Sequence, residues 1–298
     1  LNLPKPFKTT IESIYGRDGE TWLAGLGERI ETLAGLWDFR DVRIVPNLTF
    51  NFIATVTRKA DGQPAVLKIC PAGRSLQPEV QWLEHYKNVA ANVFAFDQNQ
   101  DAFLMEYCDP CTSLKDFLDQ NGDEAATRQL CQVIKKIQKK QDDESSFKHL
   151  SELIPDLHSL KGIAPQRLYS KALGLFFQLT HDRSGDVLLH GDLHHDNILL
   201  HDTGWKVIDP HGYIGDPVAE TGVQMYNPVG DLPKGAALAT HIDRRIHVLS
   251  EELGYDVDRI QAWCFCITML SAAWNVEDFG SQAERELEIA TTIDSLRH

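Results

Sequence analysis

Residues 190–197 read His190-Gly191-Asp192-Leu193-His194-His195-Asp196-Asn197, and twelve residues after Asn197 comes Asp209, in Val207-Ile208-Asp209-Pro210. The order His-x-Asp-x-x-x-x-Asn, then a second Asp, carries the few parts that phosphoryl transfer asks of a protein. One carboxylate positions the acceptor hydroxyl and takes its proton. An amide oxygen and a second carboxylate hold magnesium on the nucleotide phosphates. Asp192, Asn197 and Asp209 stand in that order. Such a density of histidine and carboxylate also suits a metal-ligand cluster of a hydrolase, or an ordinary polar loop.

The flanks favour the first reading. Val187-Leu188-Leu189 before the loop, Ile198-Leu199-Leu200 after it and Trp205 to Ile208 read as short buried strands. A loop, a hairpin and an acidic residue at its exit form the architecture of a kinase C-lobe.

Phe7 to Tyr15, ending at Gly16, and Thr21 to Trp37, with Leu23, Leu26, Ile30, Leu33 and Leu36 at helical spacing, predict two N-terminal helices. Strands are predicted at Val42–Val45, Phe50–Thr57, Ala65–Ile69, Val93–Phe96 and Ala102–Glu106, with Asp61-Gly62 as a hairpin turn and a helix at Leu76–Tyr86. After Tyr107 the pattern turns helical. Helices are expected at Asp123–Lys140, with Lys135, Lys136, Lys139 and Lys140 at the negative end of its dipole, and at Arg167–Leu179. Pro233–Leu253, Asp258–Trp274 and Ser281–Leu296 follow, the last with a Ser281–Glu284 capping box. The expected fold is α+β, a protein-kinase-like bilobal fold. It comprises a small antiparallel-sheet N-lobe (1–106), a hinge (107–112) and a mainly helical C-lobe (113–298) bearing the catalytic loop and the substrate pocket.

Composition narrows the function classes. The 298 residues carry a net charge of −14, nearly all of it after residue 105, which argues against a nucleic-acid partner and suits a cationic substrate. The longest apolar stretch, Ala262 to Trp274, is too short to span a membrane and suits a buried helix. No signal-like segment is evident at residues 1–7, so a cytoplasmic location is the expectation. The six cysteines, Cys108-x-x-Cys111 and Cys264-x-Cys266 among them, are expected to be reduced and mostly buried rather than zinc ligands. A monomer and a dimer both fit.

On the nucleotide side, Lys68 in Leu67-Lys68-Ile69 is placed to reach ATP phosphates, held by a carboxylate of the next helix. Glu79 is the first choice for that carboxylate and Glu84 the alternative. Glu106, Tyr107 and Cys108 would present backbone groups to adenine (or guanine, if GTP is used), with Met105 lining the base. The segment Pro46 to Asn51 lacks the glycines of a protein-kinase phosphate loop, leaving Asn47, Thr49 and Asn51 as donors.

These motifs together make the chain resemble the aminoglycoside phosphotransferases, in particular the streptomycin 6-phosphotransferase and hydroxyurea-resistance kinase group. The resemblance runs through Tyr15-Gly16-Arg17-Asp18-Gly19, Ala65 to Ile69, Leu104 to Tyr107, Ser113-Leu114, Leu189 to His194, Asn197-Ile198-Leu199, Ile208-Asp209-Pro210, Gly215-Asp216-Pro217 and Ala272-Ala273-Trp274. It implies an ATP- and magnesium-dependent small-molecule kinase with Asp192 as base, Asn197 and Asp209 on metal and Lys68 on phosphate, and with His190 supporting the loop through hydrogen bonds rather than touching substrate. Two departures stand out. His211 replaces the group's usual lysine, and Glu220-Thr221 replace Asp-Leu.

A hydroxylated, cationic acceptor calls for carboxylates and aromatic surface near Asp192. Tyr226, Asn227, Asp231, Trp274, Glu277 and Asp278 are the candidates. The leading expectation is phosphorylation of an aminoglycoside or related amino sugar. A metabolic sugar, amino-sugar or fructosamine kinase is the alternative, and a non-catalytic pseudokinase stands further off. Protein-kinase activity is not expected, because no Ala-Pro-Glu segment follows Asp209.

Overall fold

The computed structural model describes residues 1–71, 73–140, 146–280 and 283–296. The chain forms two compact units, Leu1–Cys111 and Thr112–His298.

In the first unit, α1 (Lys5–Leu36) is broken at Gly16, whose φ of 54° and ψ of −131° suit only glycine. Phe7 and Trp22, which a straight helix would hold about 22 Å apart, have ring centroids 6.2 Å apart. The chain therefore folds back at Gly16, giving the two predicted helices. Their buried stripe is Trp22, Leu26, Ile30 and Leu33; Leu36, read as part of it, lies beyond the last packed turn and is 61% exposed. The strands are β1 (Phe39–Ile44), β2 (Phe52–Arg58), β3 (Pro64–Ile69), β4 (Val93–Asp97) and β5 (Ala102–Glu106), with α2 (Gln77–His85) after β3. They form one antiparallel sheet in the order β1-β2-β3-β5-β4. Alternate residues such as Phe52, Ala54, Ala65 and Leu67 bury one face against α1. Leu48 joins that core and pins the segment between β1 and β2.

Strand β6 (Pro110–Ser113) spans the junction, and α3 (Leu114–Asn121) and α4 (Asp123–Ile134) follow. The α4 helix is shorter than predicted. The Lys136 and Ile137 amides bond back only three residues, to Val133 and Ile134, and the Lys139 carbonyl accepts the Leu188 N–H (3.2 Å). Burial of Ile137 and that bond draw the chain off the helix axis, so Lys136, Lys139 and Lys140 do not face a helix end. Next come β7 (Lys148–His149), a helical stretch Leu150–Leu160, α5 (Gln166–Leu179), β8 (Val187–Leu189), β9 (Ile198–His201), β10 (Gly204–Val207) and β11 (Tyr213–Gly215). A buried helical turn, Pro217–Met225, leads to α6 (Ala236–Leu253), α7 (Val257–Phe279) and α8 (Glu284–Ser295). The Ser281 cap lies outside the described residues.

The α7 helix is the axis of this unit. Ile260 and Trp263–Leu270 are buried almost all round, which explains why its apolar residues follow no single stripe. Cys264 and Cys266 are both inside it and make no disulfide; among the six cysteines only Cys111 is exposed. No helix among the described residues is long and apolar enough to cross a membrane.

Candidate active site

In the first unit Lys68 stands on β3, paired with Ile53 of β2 and Phe103 of β5. Its side chain is 2% exposed, and Nζ donates to both Glu79 oxygens, at 2.9 and 2.7 Å. Glu79 opens the first turn of α2, whereas Glu84 is exposed. Met105 is buried on β5 opposite Val66. The Glu106 carboxylate accepts from the backbone and side-chain nitrogens of Asn92, at 3.0 and 2.9 Å. Cys108 is buried, and burial together with Cys111 raises the Tyr107 phenol.

In the second unit the β9–β10 hairpin explains the spacing between Asn197 and Asp209. Ile198 pairs with Val207, and one step further the Ile208 N–H donates to the Asn197 carbonyl (3.1 Å). The pairing puts the chain exit at Asp209 beside Asn197. Asp209 itself has φ of 59°, a left-handed conformation that Asp tolerates better than branched residues. The Asn197 amide nitrogen donates to the Asp192 carbonyl at 2.9 Å and lies 3.5 Å from Asp192 Oδ2. With its nitrogen so used, Asn197 keeps an oxygen as acceptor. That oxygen and the Asp209 carboxylate are the hard donors magnesium prefers, so the residues fit the ion.

The carboxylate of Asp192 has His194 Nε2 at 3.6 Å and His211 Nε2 at 4.0 Å. Burial pushes its pKa above the ordinary range, against the pull of these two histidines. His190 is fully buried. Its Nε2–H donates to the Ile208 carbonyl (2.9 Å) and Nδ1 accepts the Asp192 N–H (3.2 Å), and burial drives its pKa down to about 3. His190 therefore works as a neutral strut under the loop.

A residue noticed only as a departure proves central to the loop. Glu220 is 2% exposed, and its two oxygens accept the N–H groups of His190 (2.7 Å) and Gly191 (3.1 Å). Burial raises its pKa to about 7. Gly191, at φ of 80°, leaves no room for a Cβ, which would fall 2.4 Å from the Tyr213 ring.

The acceptor candidates separate into two groups. Trp274 packs edge-on against His211 (6.4 Å between centroids), and Asp192 contributes to the raised pKa of Tyr226, after burial. Because α7 runs five residues past its predicted end, Glu277 and Asp278 lie one turn beyond Trp274 on the same face. Burial raises the pKa of Glu277, as do Asp156 and Asp278. Asp156, missed in the sequence, accepts the Trp274 Nε1–H at 3.0 Å. Its signal was the stripe Leu150, Leu153, Leu157, Leu160, all buried, which marks the helical stretch carrying it. Asn227 and Asp231 do not join this group. The Asn227 side-chain amide donates to the Val223 carbonyl, and its main-chain carbonyl accepts from Arg245. Asp231 pairs with Lys115 at 2.8 Å on the surface.

Residues 41–279 match the family described as aminoglycoside/hydroxyurea antibiotic resistance kinase. The chain belongs to that family. Members of the aminoglycoside/hydroxyurea kinase family are small-molecule phosphotransferases acting on hydroxyl groups, and this chain is one. It is 24% identical to the streptomycin 6-kinase of Streptomyces glaucescens, over 95% of this chain and 93% of that protein. It is 30% identical to the streptomycin 3''-kinase of Klebsiella pneumoniae over 63% of this chain and 71% of that one. The fold is protein-kinase-like. A thermostable mutant of the aminoglycoside phosphotransferase APH(4)-Ia, solved as a ternary complex with ADP and hygromycin B, superposes with a TM-score of 0.63 at 14% identity, covering 90% of this chain and 98% of that one.

Proposed function

We propose that this enzyme transfers the γ-phosphate of ATP to a hydroxyl of an aminoglycoside of the streptomycin type, or of a related amino sugar, in the cytoplasm. The observation that carries the reading is the union of Asp192, Asn197 and Asp209 at the mouth of one hairpin. Asp192 holds the acceptor hydroxyl and receives its proton, a task helped by a pKa above the usual carboxylate range. Asn197 and Asp209 hold magnesium, which when bound neutralises charge on the phosphates. Lys68, kept in place by Glu79, contacts phosphate. Backbone groups of Glu106, Tyr107 and Cys108 face the base, and Met105 lines it. For Glu106 this means the main chain alone, since its carboxylate is tied to Asn92.

For the acceptor we assign Trp274, Glu277 and Asp278, with Tyr226 and Asp156 beside them. Carboxylates at the C-terminal end of a helix oppose its dipole. Their placement there, with Glu277 partly desolvated beside Asp156, suits attraction of an ammonium or guanidinium group.

The test is magnesium-dependent ADP release from ATP across aminoglycosides, amino sugars and plain sugars. Strong stimulation by streptomycin is expected. Stimulation by a simple amino sugar or a fructosamine alone would instead make this a metabolic kinase. ATP binding without stimulation by any compound would remove the aminoglycoside reading.

A further inference from the structure

Asp192 stands on a loop, and its neighbours in the chain are anchored from below by the buried turn Pro217–Met225. Every residue from Val218 to Met225 is buried there. Two polar side chains of this turn reach the catalytic loop. Glu220 takes the N–H groups of His190 and Gly191, on the side before Asp192. Gln224, one turn later and 1% exposed, donates its amide N–H to the Leu193 carbonyl, on the side after Asp192. The turn is itself pressed onto α7, because Gly222 leaves no room for a Cβ, which would sit 2.5 Å from Ile267.

The backbone of Gln224 is held in turn. Arg245, 1% exposed on α6, donates Nη1–H groups to the Gln224 and Asn227 carbonyls, the latter at 2.7 Å. Its Nε donates to the Asp123 carboxylate at 2.9 and 3.2 Å, and Nη2 donates there too. A guanidinium can serve a carboxylate and two carbonyls at once because its donors are fixed in a planar fork. The loop residue His195 lies against this group, 1% exposed, and among the described residues neither of its ring nitrogens has a hydrogen-bond partner. His195 therefore does not anchor the loop by bonds of its own, and its position follows from the tethers on either side.

We propose that Gln224, locked by the Arg245–Asp123 pair, is a positioning residue for phosphoryl transfer: it fixes the Leu193 carbonyl and with it the backbone that aims Asp192. The inference rests on the phosphotransferase reading, and its consequence is kinetic. Loss of the Gln224 donor lets the loop shift by a fraction of an ångström, which costs turnover rather than ligand binding.

The test uses the full chain with Gln224→Met, which keeps the volume and removes the donor. Gln261→Met serves as control, because the Gln261 amide also donates to backbone carbonyls, those of Ile293 and Leu296, away from the loop. Amide hydrogen exchange over residues 193–197 should rise in Gln224→Met and not in Gln261→Met. In the same variant kcat should fall by about tenfold to a hundredfold, with both KM values within about twofold of wild type. Arg245→Lys, which keeps the charge beside Asp123 but loses the fork, should raise exchange in the same segment, and decides the matter if Gln224→Met does not fold. Unchanged exchange in the loop, or an equal loss of kcat in the control, overturns the proposal. If wild type turns over no acceptor, the phosphotransfer reading fails separately, and exchange alone decides whether the tether exists.

Discussion

Lys68 and Asp192 are held by different means. Lys68 lies on a strand with bonded neighbours on both sides, so the sheet fixes its backbone and only the side chain needs a partner, which Glu79 provides. Asp192 lies on a loop with no ladder. Its backbone is fixed group by group, by Glu220, His190, Asn197 and Gln224. Ladder hydrogen bonds come with the fold, whereas side-chain tethers are separate residues, each open to mutation. The loop should therefore be sensitive at many positions, and the lysine at few.

The largest effect is expected at the reacting carboxylate. Asp192→Ala should lower kcat by about 10³-fold or more, with the dissociation constant for ATP nearly unchanged. Isothermal titration beside steady-state kinetics checks this, and retained turnover would remove Asp192 as base.

Next comes the Lys68–Glu79 contact on the strand side. Glu79→Gln removes the charge that balances a lysine only 2% exposed. Destabilisation of about 3 kcal/mol is expected, because one partner of a buried pair is left behind. Urea unfolding measures it, and a change under about 1 kcal/mol would mean that the Glu79 charge contributes little to holding Lys68.

Glu220 tests the loop side through pH. Its folded pKa of about 7 stands above the 4.5 of a free glutamate. Between these values the folded chain keeps a proton the unfolded chain has lost, so this group's contribution falls as pH rises. The contribution is fully present below pH 4.5, and by pH 7 about 3 kcal/mol of it is gone. Glu220→Gln cannot titrate. The stability of wild type relative to this variant should therefore decline across that window; a flat difference would show Glu220 ionised throughout.

The smallest effect is expected on the acceptor side. Changing Glu277 and Asp278 together to amides should raise KM for a cationic acceptor by about three- to tenfold, the scale of partly exposed charge pairs. KM for ATP should stay within about twofold. Equal rises in both would remove these carboxylates from the acceptor site.

Much of this was legible in the chain. Alternation along Phe52–Arg58 and Pro64–Ile69, with the Asp61-Gly62 turn, announces the sheet. Local rules sufficed there because strands and turns are decided by near neighbours. The hairpin after Asn197 was equally plain. The end of α4 was misread because the pull of Ile137 and Leu188 comes from residues distant in sequence. Asn227 looked available because a polar side chain next to Tyr226 carries no sign that its amide will turn back to the Val223 carbonyl.

By itself, the sequence determined the reaction class, since Asp192, Asn197 and Asp209 lie on one short segment whose spacing a hairpin converts into proximity. It also determined the family and the order of elements. Tertiary structure alone decided which carboxylate holds Lys68, that Glu220 and Gln224 grip opposite sides of the catalytic loop, and that Asp156 joins Trp274 and Glu277. Each of these contacts bridges residues 11 or more positions apart. A partner at such separation is chosen by burial and packing of whole elements, and no local pattern records it.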